Sequence, residues 1–258
     1  MSAVVLTGVS RGLGAALFDA LAARGDAILA LGRGFTAPQR RLAAAEPERI
    51  RLRPADLADP AGLPDAAELA GFLDPAGAGR HGTALILNAA VVEPIGAVGT
   101  LPAADLAAAV TVNLTAPMVL ANAFLAATDA AATGGATDTA TAGGGTGGPA
   151  VRRDVLLVSS GAARRVIGGW SAYCATKAGA EMFFAVLAEQ VAGQAGTRVV
   201  AVDPGQMDTG MQEEIRAAYA AGRYFPDGAR WRDNHAQGRM ATPATVARRI
   251  VAEHLGTG

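Results

Sequence analysis

Thr7-Gly8-Val9-Ser10-Arg11-Gly12-Leu13-Gly14 is the stretch whose reading decides the fold. It follows Ala3-Val4-Val5-Leu6, a short apolar run that reads as a buried strand. After it, Leu13, Leu17 and Leu21 recur at four-residue spacing, which predicts a helix over residues 12–24. Ala27-Ile28-Leu29-Ala30-Leu31 reads as a second buried strand. Strand, glycine turn, helix and strand in this order make a dinucleotide-type βαβ unit. The glycines permit a tight turn and let a phosphate approach the amides at the helix start.

The second strand ends at Gly32-Arg33. An acidic side chain at this point would repel a 2′-phosphate on the adenine ribose. The chain instead offers Arg33, with Arg11 in the glycine turn. Each arginine alone reads equally well as a solvated surface charge. Together they favour a 2′-phosphate through charge-assisted hydrogen bonds, so NADP(H) is the expected cofactor.

The second informative stretch is Gly169-Trp170-Ser171-Ala172-Tyr173-Cys174-Ala175-Thr176-Lys177-Ala178-Gly179. Tyr173 and Lys177 are four residues apart and should share one face of a helix running to about residue 193. A phenol beside a fixed ammonium is a plausible proton donor. Such a pair alone is more often a plain helix surface. Here Ser160 stands thirteen residues earlier, at the end of the strand Val155-Leu156-Leu157-Val158.

Further strands are expected at 50–54, 84–87 and 197–202, and helices at 37–46, 64–73, 103–127 and from Pro243 to about 255, with Thr242 as cap. The glycine-rich run 77–82 reads as a turn. Asn88-Ala89-Ala90 follow a strand end, where small residues let a cofactor lie close. Asn113 is a polar residue in an apolar helix, either a satisfied core amide or a cleft residue. Residues 128–150 are nearly all Ala, Gly, Thr, Asp and Pro, and read as a flexible surface insertion. Residues 206–240 carry Tyr219, Tyr224, Phe225 and Trp231 and form a candidate substrate lid; those aromatics could equally pack the lid down or bury a subunit contact.

A length of 258 residues suits one large α/β domain. The net charge of −1, from 22 basic and 23 acidic residues, argues against a nucleic-acid surface. Cys174 is the one cysteine, so no internal disulfide can form; it reads as a packing residue in a reducing compartment. The apolar start is too short for a signal-peptide core, and no stretch reads as a membrane span, so a soluble cytoplasmic protein is expected. His81, His235 and His254 are scattered and suggest no metal site.

Thr7-Gly8-x-x-x-Gly12-x-Gly14, Asp56, Asn88-Ala89-Ala90, Asn113, Ser160, Tyr173-x-x-x-Lys177 and Pro204-Gly205, in this order, resemble the short-chain dehydrogenase/reductase family over about residues 3–255. Residues 169–177 and Asp208-Thr209-x-Met211-Gln212 are similar to its sepiapterin reductase and benzil reductase branch. The resemblance implies a three-layer, doubly wound Rossmann fold with a mostly parallel sheet of six or seven strands in the order 3-2-1-4-5-6. Many relatives end in a further strand, which this chain, stopping at Gly256-Thr257-Gly258, is expected to lack.

The resemblance also implies roles. Asn113, Ser160, Tyr173 and Lys177 would be catalytic: Tyr173 the general acid in reduction and base in oxidation, Ser160 a donor to the carbonyl. Lys177 would hold the ribose and lower the Tyr173 pKa, and Asn113 would hold a water. The cofactor would meet Gly8, Ser10, Arg11, Gly12, Leu13 and Gly14, then Arg33, Asp56 and Leu57, then Asn88, Ala89 and Ala90. Pro204, Gly205, Met207 and Thr209 would complete its site. Ser160, Trp170, Tyr173, Gln206 and Met211 would face a small carbonyl or alcohol substrate. The expected reaction is NADPH-dependent reduction of a ketone or diketone. An NADP-dependent dehydrogenase of another secondary alcohol (sugar, acyl or steroid type) stays open, as does a non-catalytic dinucleotide sensor, which the intact catalytic set argues against. A homodimer through residues 103–127 and 170–193 is expected, with a tetramer as the alternative.

Overall fold

In the computed structural model, which describes residues 1–73, 82–133 and 152–255, β1 (Ala3–Thr7) is buried along its length. Successive side chains of a strand point to opposite faces, so β1 feeds two cores. Ala3 and Val5 join one, Val4 and Leu6 the other. The Val4 face is covered by α1 (Gly12–Arg24) and α9 (Pro243–Leu255) through Leu17, Leu21, Val246 and Ile250. The Val5 face is covered by α3 (Ala66–Leu73), α5 (Ala116–Thr133) and α6 (Ser171–Val191) through Leu69, Leu120, Phe124 and Phe184. This is the expected three-layer arrangement.

The sheet continues with β2 (Ala27–Gly32), β3 (Ile50–Pro54), β4 (Gly82–Leu87), β5 (Arg152–Val158) and β6 (Thr197–Val202). Among the described residues it has six strands, all parallel, in the order β3-β2-β1-β4-β5-β6. The chain winds outward from β1 to β3, then returns to the other side of β1 for β4. That reversal opens a crevice above the carboxyl ends of β1 and β4, where ligands of such sheets bind. Residues 256–258, where a further strand would have to begin, lie outside the described residues, as do residues 77–81 of the turn expected at 77–82, His81 among them; Gly82 instead opens β4.

The expected helix over 103–127 is interrupted. α4 (Ala103–Val110) passes through a π-helical turn, Thr111–Thr115, into α5. Such turns insert one residue and concentrate at functional sites; this one carries Asn113. The rod Ala103–Asp129 has a hydropathy of 1.5 and the length of a membrane span, a property the reading for membrane segments missed. One face of it packs into the core, where Ala116, Leu120, Ala121 and Phe124 are fully buried. α5 also runs to Thr133, six residues past its expected end. Thr128 Oγ1 donates to the Phe124 carbonyl at 3.0 Å, and Arg153 of β5 pairs with Asp129, so the last turns are anchored to the sheet. Residues 128–133 of the expected insertion are therefore helical, and 134–150 lie outside the described residues.

α2 (Ala37–Ala45) follows β2, and α7 (Gly210–Ala220) and α8 (Gly228–Ala236) form the candidate lid. The lid leaves and returns at one point: Met207 and Ala241 form a parallel bridge, with Asp208 N donating to Ala241 O at 3.2 Å and Ala241 N to Gln206 O at 3.3 Å.

The glycine turn sets how closely β1, α1 and β4 meet. A Cβ on Gly14 would stand 1.9 Å from the Gly8 carbonyl oxygen and 2.5 Å from Asn88 Nδ2. Gly14→Ala must therefore displace backbone, and is expected to lower stability in urea unfolding by about 1–3 kcal/mol. An unchanged midpoint would show that the turn relaxes freely.

Candidate active site

A cavity of about 450 Å³ runs along the carboxyl ends of the strands. Its first end is the glycine turn, where Gly8, Ser10, Arg11, Gly12, Leu13 and Gly14 all form wall. Gly8 and Gly12 hold φ of +74° and +56°, which L side chains rarely adopt. α1 starts at Arg11 without any side-chain cap, so its first amides remain available to an anion. Asn88 Nδ2 donates to Thr7 O at 3.1 Å and Gly8 O at 3.3 Å, while the amides of Asn88 and Ala89 donate to Thr7 Oγ1. Asn88 thus braces the turn from the β4 side, and it lines the cavity with Ala89 and Ala90. On the outer side Gln39 Nε2 donates to Val9 O at 2.8 Å, and Gln39 closes a capping box with Thr36. The sequence reading missed that role; a Thr-x-x-Gln pair at a helix start was its one local signal.

Arg33, Asp56 and Leu57 lie on the adjoining wall. Arg33 and Asp56 are exposed, and Leu57 is buried. Arg11 is ion-paired: its Nη2 lies 2.8 Å from Glu214 Oε1 on α7. The absence of Cβ atoms at the turn, the uncapped helix and the arginines fit a dinucleotide phosphate chain.

At the other end stand Ser160, Trp170, Tyr173 and Lys177. α6 begins after Gly169, where φ is +84° and a Cβ would stand 2.1 Å from the Tyr224 carbonyl oxygen. One turn apart, Tyr173 and Lys177 share the buried face of α6, at 5% and 3% exposure. The Tyr173 phenol lies near Ser160, which follows β5 and whose Oγ accepts from Ala162 N at 3.2 Å. Lys177 Nζ donates to Val158 O at 2.9 Å and lies 5.8 Å from the Tyr173 ring centre.

Burial pushes the Tyr173 phenol up to about 12, only partly offset by the Ser160 hydrogen bond, with Asp203 and Cys174 adding to the rise. Burial pushes Lys177 down to about 8, opposed by Glu181. The expected lowering of the Tyr173 pKa by Lys177 is therefore reversed: loss of hydration dominates both groups. Glu181, absent from the sequence reading, sits one turn beyond Lys177. It accepts from Ser159 Oγ at 2.5 Å and pairs with Arg164 at 2.9 Å.

Asn113 is the one expected site residue behind the cavity wall rather than on it. It is 1% exposed. Its Oδ1 accepts from Val91 N at 2.8 Å, and its Nδ2 donates to Val91 O at 2.8 Å and Thr176 Oγ1 at 3.2 Å. Both amide hydrogens are committed, so the side chain acts as a brace between Val91 and Thr176.

Pro204, Gly205, Gln206, Met207, Thr209 and Met211 form the wall after β6. Trp170 is packed edge-on to Tyr173 at 5.6 Å, stacked on Phe225 at 5.5 Å and tilted against Trp231 at 4.8 Å. The lid aromatics therefore divide: Phe225 is buried, Trp231 reaches the cavity, and Tyr224 is exposed. Cys174 packs beside this cluster, as expected. Arg165, Ile167 and Gln212 also line the cavity, and no periodicity in the sequence marks them.

The sequence model described as short chain dehydrogenase matches residues 2–220. A benzil reductase ((S)-benzoin forming) from Bacillus cereus is 28% identical over 97% of this chain and 92% of its own length. The sepiapterin reductase of Meriones unguiculatus is 31% identical over 82% of this chain and 76% of its own. Among solved structures, a metagenomic short-chain oxidoreductase in complex with NADP superposes with a TM-score of 0.65 and 26% identity, covering 100% of this chain and 91% of the other.

A lysine whose folded pKa lies below its unfolded value costs stability while it is charged. At neutral pH both the unfolded and the folded chain keep the proton, and the folded one bears the cost of burying it. The penalty is full below about 8 and is relieved as pH rises from there toward 10.5. Lys177→Met is thus expected to melt higher than the wild type at pH 7, with the gain shrinking toward pH 10. A lower melting temperature at pH 7 would show that the bond to Val158 outweighs the desolvation.

Proposed function

Because the chain belongs to the short chain dehydrogenase family, a family of oxidoreductases using a nicotinamide dinucleotide, we propose that it reduces a ketone or diketone carbonyl with NADPH. The observation that carries this reading is the placement of Tyr173 and Ser160 together on the wall of one cavity. Two neighbouring hydroxyls on one wall can both donate to a carbonyl oxygen on which negative charge grows. The reduced nicotinamide, when bound, supplies the hydride. Ser160 then holds the oxygen, and Tyr173 holds the proton that the oxygen takes.

A phenol at about 12 is fully protonated at neutral pH, the state a proton donor needs. An alkoxide is far more basic than a phenolate, so transfer from Tyr173 runs downhill. The reverse reaction needs the phenolate, which burial opposes, and this supports reduction as the direction at neutral pH. Lys177, charged below about 8, is placed to orient the ribose hydroxyls. Asn113 positions α6 through Thr176 and the loop after β4 through Val91.

The NADPH preference rests on Arg33, exposed at the end of β2 with no acid beside it, and on Arg11. The similar metagenomic enzyme holds NADP, which supports it. The benzil and sepiapterin reductases among the relatives support a dicarbonyl or pteridine side-chain ketone as substrate. A cytoplasmic homodimer is part of this proposal: Val110 on α4 and Met182 and Val186 on α6 are exposed, and a second copy would cover them.

Two measurements test the reading. Tyr173→Phe should lower kcat about 10²–10⁴-fold while NADPH binding, read by fluorescence titration, persists; near-normal turnover would remove Tyr173 from the chemistry. Arg33→Ala should raise KM for NADPH about tenfold or more and leave KM for NADH nearly as it was. An equal change with both cofactors would show that Arg33 does not read the 2′-phosphate.

A further inference from the structure

Among the described residues, the cavity wall carries four cations: Arg11, Arg33, Arg165 and Lys177. Three of them are accounted for. Arg11 is paired with Glu214, Arg33 directly follows β2 on the dinucleotide side, and Lys177 Nζ donates to Val158 O. Arg165 is exposed and stands five residues after Ser160. Its neighbour Arg164 takes Glu181 at 2.9 Å, and among the described residues no carboxylate pairs with Arg165, whose Nε meets a backbone oxygen instead.

The local chain sets where this guanidinium lies. Arg165 Nε donates to Gly161 O at 3.3 Å. A Cβ on Gly161 would stand 2.1 Å from Arg165 Nη2 and 3.0 Å from its Cζ. The charged head therefore fills the space that a side chain at 161 would take, one residue beyond Ser160. Gly161 lines the cavity of Ser160 and Tyr173, and it does not line the neighbouring hollow formed by Ala163, Arg164 and Val166. The head thus belongs to the wall that carries the reacting hydroxyls. Its backbone is held too: Cys174 Sγ donates to Arg165 O at 3.6 Å, and Arg164 grips Glu181 of α6 through two bonds of 2.9 and 3.0 Å. With Nε spent on Gly161, the N–H groups of Nη1 and Nη2 are left, and two adjacent guanidinium donors match the two oxygens of a carboxylate.

We propose that Arg165 reads a carboxylate on the substrate, so that the cavity selects a ketone whose carbonyl is joined directly to a carboxylate, a 2-oxo acid. Ser160 meets the ketone oxygen, and the guanidinium one residue further along the chain meets the acid beside it. One unpaired cation suits a monoanion; a phosphate ester would keep charge that nothing at this end of the cavity balances. Because Arg165 stays in contact with water, salt must weaken the attraction. This assignment rests on the carbonyl-reductase reading and narrows its substrate class.

The test uses benzoylformate and its methyl ester, which share the ring and the ketone and differ in charge, with NADPH and the full-length protein. Benzil serves as a ketone with no acid. Comparing variant with wild type as an acid-to-ester ratio of kcat/KM cancels the different intrinsic reactivity of the two. Arg165→Met keeps much of the side-chain length and removes the charge. It should lower the ratio about tenfold or more, the loss of a charge-assisted hydrogen bond. Arg165→Lys keeps the charge without the fork and should restore part of the ratio. In the wild type, raising NaCl from about 0.05 M to about 0.5 M should lower the ratio severalfold; this needs no variant to fold. An unaltered ratio in Arg165→Met, a ratio indifferent to salt, or wild-type protein that reduces the ester or benzil and not the acid would each overturn the assignment and leave the reductase reading standing. Failure with all three ketones would remove both.

Discussion

An ammonium that water cannot reach must be met by oxygen, and that demand organises the site. Lys177 finds the carbonyl of Val158, the last residue of β5. Glu181, one turn further along α6, is tied to Ser159, the next residue of the chain, and to Arg164. Three consecutive residues, Val158, Ser159 and Ser160, are thereby registered against three consecutive turns of α6. Tyr173 can meet Ser160 because Lys177 and Glu181 hold the helix at that height. The burial that makes Lys177 costly also excludes the water that would otherwise weaken hydrogen bonds to a substrate oxygen.

A second set of braces works on the sheet side. Thr7 Oγ1 accepts from two amides beyond β4, and Asn88 donates back to the carbonyls of Thr7 and Gly8. The crevice at the strand-order reversal is thus closed at its floor, with Gly8 and Gly14 supplying the room. Asn113 extends the bracing to Val91 and across to Thr176. The π-helical turn is the local consequence: opening the ladder at Thr111–Thr115 coincides with Asn113 turning inward to serve backbone groups of another segment.

The lid is attached differently. Its root is a single bridge between Met207 and Ala241, and its first helix reaches the glycine turn by the exposed pair Arg11–Glu214. Such a pair is worth little in water. The firmer attachment is aromatic, with Phe225 and Trp231 packed on Trp170 one turn before Tyr173. The lid is consequently fastened most strongly beside Trp170 and Tyr173 and least strongly beside the glycine turn.

The order of elements, the parallel sheet and the residues that meet at its carboxyl edge were legible in the chain itself. Apolar period, glycine placement and helix spacing are local properties, and Tyr173-x-x-x-Lys177 needs no partner to share a face. Long-range burial decided the rest. No spacing could show that the Tyr173 phenol would be held protonated, because its pKa follows from lost hydration rather than from its neighbour. Nor could it show that both Asn113 hydrogens would be spent on Val91 and Thr176, that Arg153 would pair with Asp129 near the end of α5, or that Gln212 would line the cavity. Each of these depends on which distant segment removes water from a group and which polar atom then replaces it, and only the packed tertiary structure settles that exchange.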